Sequence, residues 1–250
     1  MSRLVCGLQP VREAIRVHGP RLELVAVDVD RRGESPQLEA LARFARDRGA
    51  LVHELPRAGL DKIARGVRHQ GAIALAPELA IRPLEDVPMK ADALVVALDE
   101  VQDPQNFGAV IRSAVAMGAT AVVWPEHRSA PLSPATFRAS AGAVEHATLC
   151  RVPSLPGALD VLRSRGVVTV GLDASASTAI HRAELHGPVA LIVGAEGKGL
   201  RKVVKHACTA LVRLPMQGPI ESLNASAAAA IALYETLRQR EGALKGAPLS

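Results

Sequence analysis

Aromatic side chains are scarce in this chain of 250 residues, since they make up only 2% of it. That scarcity argues against an RNA-binding sheet of the kind that stacks several aromatic rings on splayed bases. Long apolar runs are also missing, because the longest falls well short of the ~18–20 residues that a transmembrane helix needs. The N-terminal segment has no signal-like apolar region, so we expect a cytoplasmic protein with no membrane partner.

Cysteine is nearly as rare, and its placement excludes two further classes. Cys6, Cys150 and Cys208 are far apart and odd in number, so they form neither a disulfide framework nor a C-x-x-C metal signature. His181 and His186 are five residues apart, which is the wrong spacing for two zinc ligands on one helix face. We expect a reducing compartment and no metal site.

Positive charge is modestly in excess, with 30 Lys and Arg against 25 Asp and Glu and a net charge of +5. Basic residues gather in two runs, over 57–70 and over 197–220. Such runs bind polyanions, although many are only solvated faces. Hydrophobic residues reach 48%, which is ample for a folded core.

The pattern of apolar residues divides the chain into an α/β protein of two parts. Residues 1–76 are predicted to form a small α/β domain, and the proline-rich stretch 77–91 a linker. From residue 92 to residue 250, near-continuous apolar strands alternate with helices, which predicts a parallel sheet covered on both faces. Ligands bind beyond the carboxyl ends of such strands, so the loops that follow them are the informative ones.

The first of three such loops follows the predicted strand Ala93–Leu98. Pro104 ends that strand, and Asn106 stands where a helix N-cap is expected. Arg112 comes on the second turn of the predicted helix, among apolar neighbours. An arginine in that position either has a function or merely snorkels from a core helix.

The second loop, Gly194-Ala-Glu-Gly-Lys-Gly199, is rich in glycine and follows a buried strand. Its glycines are spaced as G-x-x-G-x-G, which is neither the dinucleotide fingerprint nor a P-loop. Glu196 in its centre would repel phosphates and better suits a cationic or hydroxyl-bearing ligand.

The third loop runs from Leu214 to Ser226 and enters an alanine-rich helix that Ser222 or Asn224 is expected to cap. The placement of asparagine gives evidence on these loops without any comparison to other sequences. The chain has only two asparagines, Asn106 and Asn224, and both fall in these loops. That placement indicates a functional site.

Together the loops resemble the three motifs of the SpoU (TrmH-like) family of RNA ribose 2′-O-methyltransferases. The matching segments are Asp103-Pro-Gln-Asn-Phe-Gly-Ala-Val-Ile-Arg112, Gly194-Ala-Glu-Gly-Lys-Gly199 and Leu214-Pro-Met…Ser222-Leu-Asn-Ala-Ser226. The segments Cys6-Gly-Leu-Gln-Pro-Val-Arg-Glu-Ala-Ile-Arg16 and His69-Gln-Gly-Ala-Ile-Ala74 resemble the N-terminal RNA-binding domain of the bacterial branch that methylates a guanosine of 23S rRNA. The resemblance implies S-adenosylmethionine as cofactor, a homodimer, and a trefoil knot at the C-terminal end of the sheet domain.

The resemblance also implies a role for particular residues. Those expected to act in catalysis are Asn106, Arg112, Glu196, Ser222 and Asn224. Those expected to hold the cofactor are Gly194, Ala195, Gly197, Leu214, Met216 and Leu223. The basic run of the N-terminal part, and not the resemblance, gives the residues expected to bind RNA, which are Arg57, Arg65, Arg68 and His69. The family proposal makes Arg112 the base, but guanidinium groups stay protonated in proteins, so positioning the ribose and stabilising developing charge is the better role.

Other functions remain open at this level. The methylated RNA could be a tRNA or a resistance-type site elsewhere in 23S rRNA. A non-catalytic RNA-binding module fits the charge but has no need of a glycine loop with an acid at its centre. A nucleotide-dependent oxidoreductase would need an early glycine fingerprint with an acid ~20 residues later, and this chain has neither.

Overall fold

The computed structural model describes residues 2–32, 35–220 and 222–246. Two compact units make up the chain. Unit 1 consists of Met1–Ala80 with Pro131–His146, and unit 2 of Ile81–Ala130 with Ala147–Ser250. Within the described ranges, no helix is both long and apolar enough to cross a bilayer.

The strands, in chain order, are β1 (Ser2–Cys6), β2 (Leu24–Asp28), β3 (Val52–Leu55), β4 (Ala72–Pro77), β5 (Leu94–Asp99), β6 (Ala121–Pro125), β7 (Leu149–Val152), β8 (Val168–Leu172), β9 (Thr178–Ala179), β10 (Val189–Gly194) and β11 (Ala210–Arg213). The helices are α1 (Leu8–His18), α2 (Val29–Arg32), α3 (Pro36–Asp47), α4 (Arg57–Ala64), α5 (Pro104–Ala116), α6 (Pro134–Ala139), α7 (Leu155–Ser164), α8 (Lys202–Ala207) and α9 (Ala225–Gly246). The sequence analysis predicts no strand at the positions of β1, β7 and β9.

Unit 1 is built on a four-stranded mixed sheet in the order β1-β4-β2-β3. β4 pairs antiparallel with both β1 and β2, and β2 pairs parallel with β3. Apolar residues of α1 and α3 pack in one core, around Ile15 and Leu38, and Leu60 of α4 packs in a second.

The segment 131–146, which includes α6, belongs to unit 1 although the sequence interpretation places it with the larger domain. Buried charges hold it there. The Glu145 carboxylate accepts hydrogen bonds from Arg3 and, at 2.9 Å, from the His18 ring, and His146 lies 2.8 Å from a Glu13 carboxylate oxygen. These contacts join residues more than a hundred positions apart, and no local sequence pattern predicts them.

Unit 2 is built on a seven-stranded, all-parallel sheet in the order β7-β6-β5-β10-β8-β11-β9. Every residue of β5 is buried, and α5 packs on α9 while α7 packs on α8. The predicted α/β class with a doubly covered parallel sheet is confirmed. Leu84 and Val87, from the stretch interpreted as a linker, are buried in the core of this unit, where the Arg165 side chain donates to both of their carbonyls.

Candidate active site

The glycine loop after β10 is a tight turn that closes on itself. The Gly199 N–H donates to the Ala195 carbonyl at 2.8 Å, and Gly197 and Gly199 have φ values of 73° and 64°. A Cβ added to Gly194 would lie 2.2 Å from the Gly199 carbonyl carbon, well inside any allowed contact. Glycine at 194 is therefore required by the loop's own backbone.

A buried carboxylate ties the end of this loop to β5. The Asp99 side chain is fully buried and accepts from the Arg201 backbone N–H at 2.8 Å and from Arg201 Nε at 2.7 Å. Arg201 Nη1 also lies 3.1 Å from Glu100, which follows β5. The pair fixes where the loop leaves the sheet, and the sequence prediction included neither residue.

A side-chain hydrogen bond joins the first and second loops. Asn106 Nδ2 donates to Glu196 Oε2 at 3.0 Å across 90 residues of sequence. Asn106 is not the N-cap of α5, so that prediction is wrong. Asp103 is the cap, since its carboxylate accepts from the backbone N–H groups of Gln105 and Asn106 at 3.1 Å. Pro104 takes the first helical position, where its missing N–H costs nothing, and the Asn106 amide is free to reach Glu196.

Two cavities share the glycine loop as a wall. The larger, of about 270 Å³, is lined by the carboxyl end of β8, the glycine loop, the third loop and the start of α9. The smaller, of about 170 Å³, is lined by the residues after β5 and by Asn106. Ala195, Glu196 and Lys198 line both cavities.

All six residues predicted to hold the cofactor line the larger cavity, as does Ser222. Asn224 lines neither cavity. Its Oδ1 accepts from the Ala227 N–H at 2.7 Å, so Asn224 rather than Ser222 caps α9. The cap places the first turn of α9 against the cavity, where Ala225 and Ala228 line it.

Arg112 stands apart from both cavities. Its side chain is exposed on α5 and has no hydrogen bond or ion pair with any residue that the structure describes.

The larger cavity also contains an ion pair that the sequence analysis did not predict. Lys205 Nζ lies 2.6 Å from Asp173 Oδ2, and Ser175 donates twice to Asp173 Oδ1. Burial by itself would raise the pKa of the Asp173 carboxyl, but the hydrogen bonds from Lys205 and Ser175 outweigh it, so the pKa lies below its usual value. Asp173 directly follows β8, so the rule that singled out the other three loops would have found it.

The residues predicted to bind RNA lie in unit 1, and three of them come together. Arg57, Arg68 and His69 line a third cavity of about 470 Å³, whereas Arg65, at the end of α4, does not. Arg57 and Arg68 are exposed, but His69 is buried. His69 is thus part of the cavity wall and not a surface side chain.

Comparison with known proteins identifies the family of this chain. Residues 93–234 match the model of the SpoU rRNA methylase family, and residues 4–81 match that of the RNA 2′-O ribose methyltransferase substrate-binding domain. The chain belongs to the SpoU rRNA methylase family. The resemblance found in the three loops is therefore confirmed.

Individual relatives are similar along almost the whole chain. An uncharacterised tRNA/rRNA methyltransferase of Mycolicibacterium vanbaalenii is 38% identical over 248 residues, which is 97% of this chain and 78% of the relative. The SpoU methyltransferase AviRb from Streptomyces viridochromogenes, solved with its cofactor AdoMet, has a TM-score of 0.78 at 28% identity and covers 96% of this chain and 91% of its own. An AdoMet-bound rRNA methyltransferase from Sinorhizobium meliloti has a TM-score of 0.77 at 29% identity, covering 95% and 87%.

This SpoU methylase is therefore an RNA 2′-O-ribose methyltransferase that uses S-adenosylmethionine. The larger cavity suits that cofactor by its chemistry. It offers apolar side chains for a flat ring system, close-approaching backbone at the glycine loop, and the Glu196 carboxylate, which favours a sulfonium cation over a phosphate.

Proposed function

We propose that this protein methylates the 2′-hydroxyl of a guanosine in 23S rRNA. One observation carries the proposal. A cavity suited to S-adenosylmethionine and a small polar cavity share the wall formed by Ala195, Glu196 and Lys198. A methyl donor and a ribose placed in these two cavities meet across that wall, which gives the proximity that a methyl transfer requires.

The larger cavity holds the cofactor, which supplies the methyl group when bound. The backbone of Gly194, Ala195 and Gly197 approaches it closely because no Cβ stands on the two glycines. Leu214, Met216 and Leu223 provide the apolar contacts, and all of them line the cavity. Ser222 offers a hydroxyl at its edge.

The smaller cavity receives the ribose. Asn106 donates to Glu196 Oε2 and so fixes the carboxylate, which leaves Oε1 to accept the proton of a ribose hydroxyl. A hydroxyl held in this way is oriented and partly polarised for attack. Asn224 acts indirectly, by capping the helix that closes the larger cavity.

Arg112 offers a positive charge that can bind the RNA. Its exposed guanidinium, without a described partner, is available to a phosphate of the RNA. It acts by positioning the RNA and not as a base, since a guanidinium group is a poor general base.

A second copy of this chain is the proposed protein partner. Ile231 and Tyr234 are three residues apart on α9, which places them on one helix face, and they are 44% and 58% exposed. An exposed apolar pair on a helix suits a dimer contact. Sedimentation equilibrium of the protein and of Tyr234→Glu tests this, since a monomeric wild type contradicts it.

The choice of RNA rests on the family and on the N-terminal domain that matches a substrate-binding model. Mapping 2′-O-methylation in rRNA and tRNA from a strain lacking the gene, with and without a restoring copy, tests it. We expect one guanosine of 23S rRNA to lose its methyl group. Loss at a tRNA or at another 23S rRNA nucleotide identifies that substrate instead, and no loss in any RNA contradicts the proposal.

A further inference from the structure

The third cavity, in unit 1, is polar and large enough for a nucleotide. At about 470 Å³ it is larger than either cavity of unit 2, and its wall includes Arg57, Asp61, Arg68, His69 and Gln70. Its lining includes no Phe, Tyr or Trp, and the His69 ring is buried. A ligand of this cavity must therefore be recognised by hydrogen bonds and charge.

The buried His69 ring fixes the acidic side of the cavity. Its Nδ1 accepts from the Gly71 N–H at 3.1 Å, so in the neutral ring the proton is on Nε2, which donates to Asp61 Oδ1 at 2.9 Å. Among the residues that the structure describes, the other oxygen, Asp61 Oδ2, has only the Arg57 side chain nearby, with Arg57 Nε 4.0 Å away and beyond hydrogen-bond distance. The Asp61 carboxylate is thus oriented, 59% exposed and able to accept further bonds.

Gln70 supplies the donor side of the cavity. Its Oε1 accepts from the Leu8 N–H at 3.4 Å, so its amide nitrogen keeps two N–H groups with no described partner. The backbone at Gln70 has a φ of 54°, which is uncommon for a residue other than glycine. Such backbone strain is typical of functional sites.

A carboxylate and an amide donor match one base better than the others. The Watson–Crick edge of guanine presents two N–H donors that a carboxylate can accept, beside an O6 that an amide can donate to. Adenine presents a bare acceptor nitrogen at the centre of that edge, which a carboxylate repels. The exposed guanidinium groups of Arg57 and Arg68 suit the phosphates on either side.

We propose that the cavity of unit 1 binds one unpaired guanine nucleotide of the RNA substrate, and that Asp61 and Gln70 read its base. The proposal rests on the proposed function only in taking RNA as the ligand. Under this proposal, unit 1 recognises the base sequence of the RNA and does not only attract its charge.

The test measures binding of the full chain to a short uridine oligonucleotide with one central guanosine and to its twin with adenosine. We expect the guanosine oligonucleotide to bind about tenfold more tightly, as one good base-edge contact pair allows. Asp61→Asn should abolish this preference. Asp47→Asn, which changes an exposed acid outside the cavity in the same way, should leave it intact.

Gln70→Gly is the second variant, because it removes the amide while suiting the positive φ and leaves buried His69 paired. It should reduce the preference several-fold with an unchanged melting temperature. Equal binding of the two oligonucleotides by the wild type, no binding of either, or a preference that survives both variants overturns the proposal. Calorimetric titration with S-adenosylmethionine on the same preparations tests the proposed function separately, since all variants should bind it as the wild type does.

Discussion

In unit 2, three carboxylates around the glycine loop are held by other side chains: Asp99 by Arg201, Glu196 by Asn106 and Asp173 by Lys205. In unit 1, the arginines of the polar cavity are exposed. Methyl transfer needs groups that are fixed before the substrate arrives, since reorganisation would add to the barrier. Capture of a polyanion needs charges that are free to meet phosphates. The difference supports the proposal that chemistry belongs to unit 2 and RNA affinity to unit 1.

The largest effect is expected from Gly194→Ala, which tests whether the fixed site depends on its backbone. The added Cβ would stand 2.2 Å from the Gly199 carbonyl carbon, so the loop must move. Calorimetry should find S-adenosylmethionine binding weakened by about 100-fold or more, or about 2.7 kcal/mol. Gly187→Ala is the matched control, because its Cβ would meet nothing within 4 Å. Wild-type affinity in the Gly194 variant would show that the loop is not the cofactor site.

Arg112→Ala tests a predicted catalytic residue that has no described side-chain partner in unit 2. We expect single-turnover methylation to slow about 100-fold, or about 2.7 kcal/mol of barrier. Cofactor affinity and melting temperature should stay unchanged, because the side chain is exposed and has no described partner. Arg112→Lys should restore part of the rate.

The control for that experiment is Arg151→Ala, since Arg151 is also exposed and without a described partner. A lower melting temperature with a normal rate per folded molecule would mean that Arg112 is a structural residue.

Arg201→Ala removes the clamp between β5 and the glycine loop. Asp99 is fully buried and would keep only its bond from the backbone N–H of residue 201. We expect a loss of about 2 kcal/mol of stability, which lowers the melting temperature by roughly 4–8 °C. Arg182→Ala, an exposed arginine without a described partner, should shift it very little. An unchanged melting temperature in the Arg201 variant would mean that the Arg201–Asp99 pair does not stabilise the protein.

The smallest effect concerns the free charges of unit 1. Arg68 lines the polar cavity and Arg65 does not, although they are three residues apart. Arg68→Asn should reduce the slope of log binding constant against log salt concentration by roughly 0.7–0.9, because one phosphate contact is lost. Arg65→Asn should change it less. Equal slopes for the two variants would mean that an arginine lining the cavity contacts RNA phosphates no more than one outside it.

Local sequence patterns predicted much of this protein. Continuous apolar runs predicted the parallel strands of unit 2, because a strand buried on both faces must be apolar throughout. Turn residues after those strands predicted the loops, and the order of their motifs predicted the family. The trefoil knot and the role of each site residue stay predictions.

Tertiary structure alone decided which side chains meet. Asn106 reaches Glu196 across 90 residues, and Arg201 reaches Asp99 across 102. Neighbouring parallel strands bring their carboxyl ends to one sheet edge, but the strand order decides which loops become neighbours. The placement of 131–146 in unit 1, through Glu145 and its partners Arg3 and His18, is of the same kind. Contacts between residues so far apart depend on packing of the whole chain, and no local pattern encodes them.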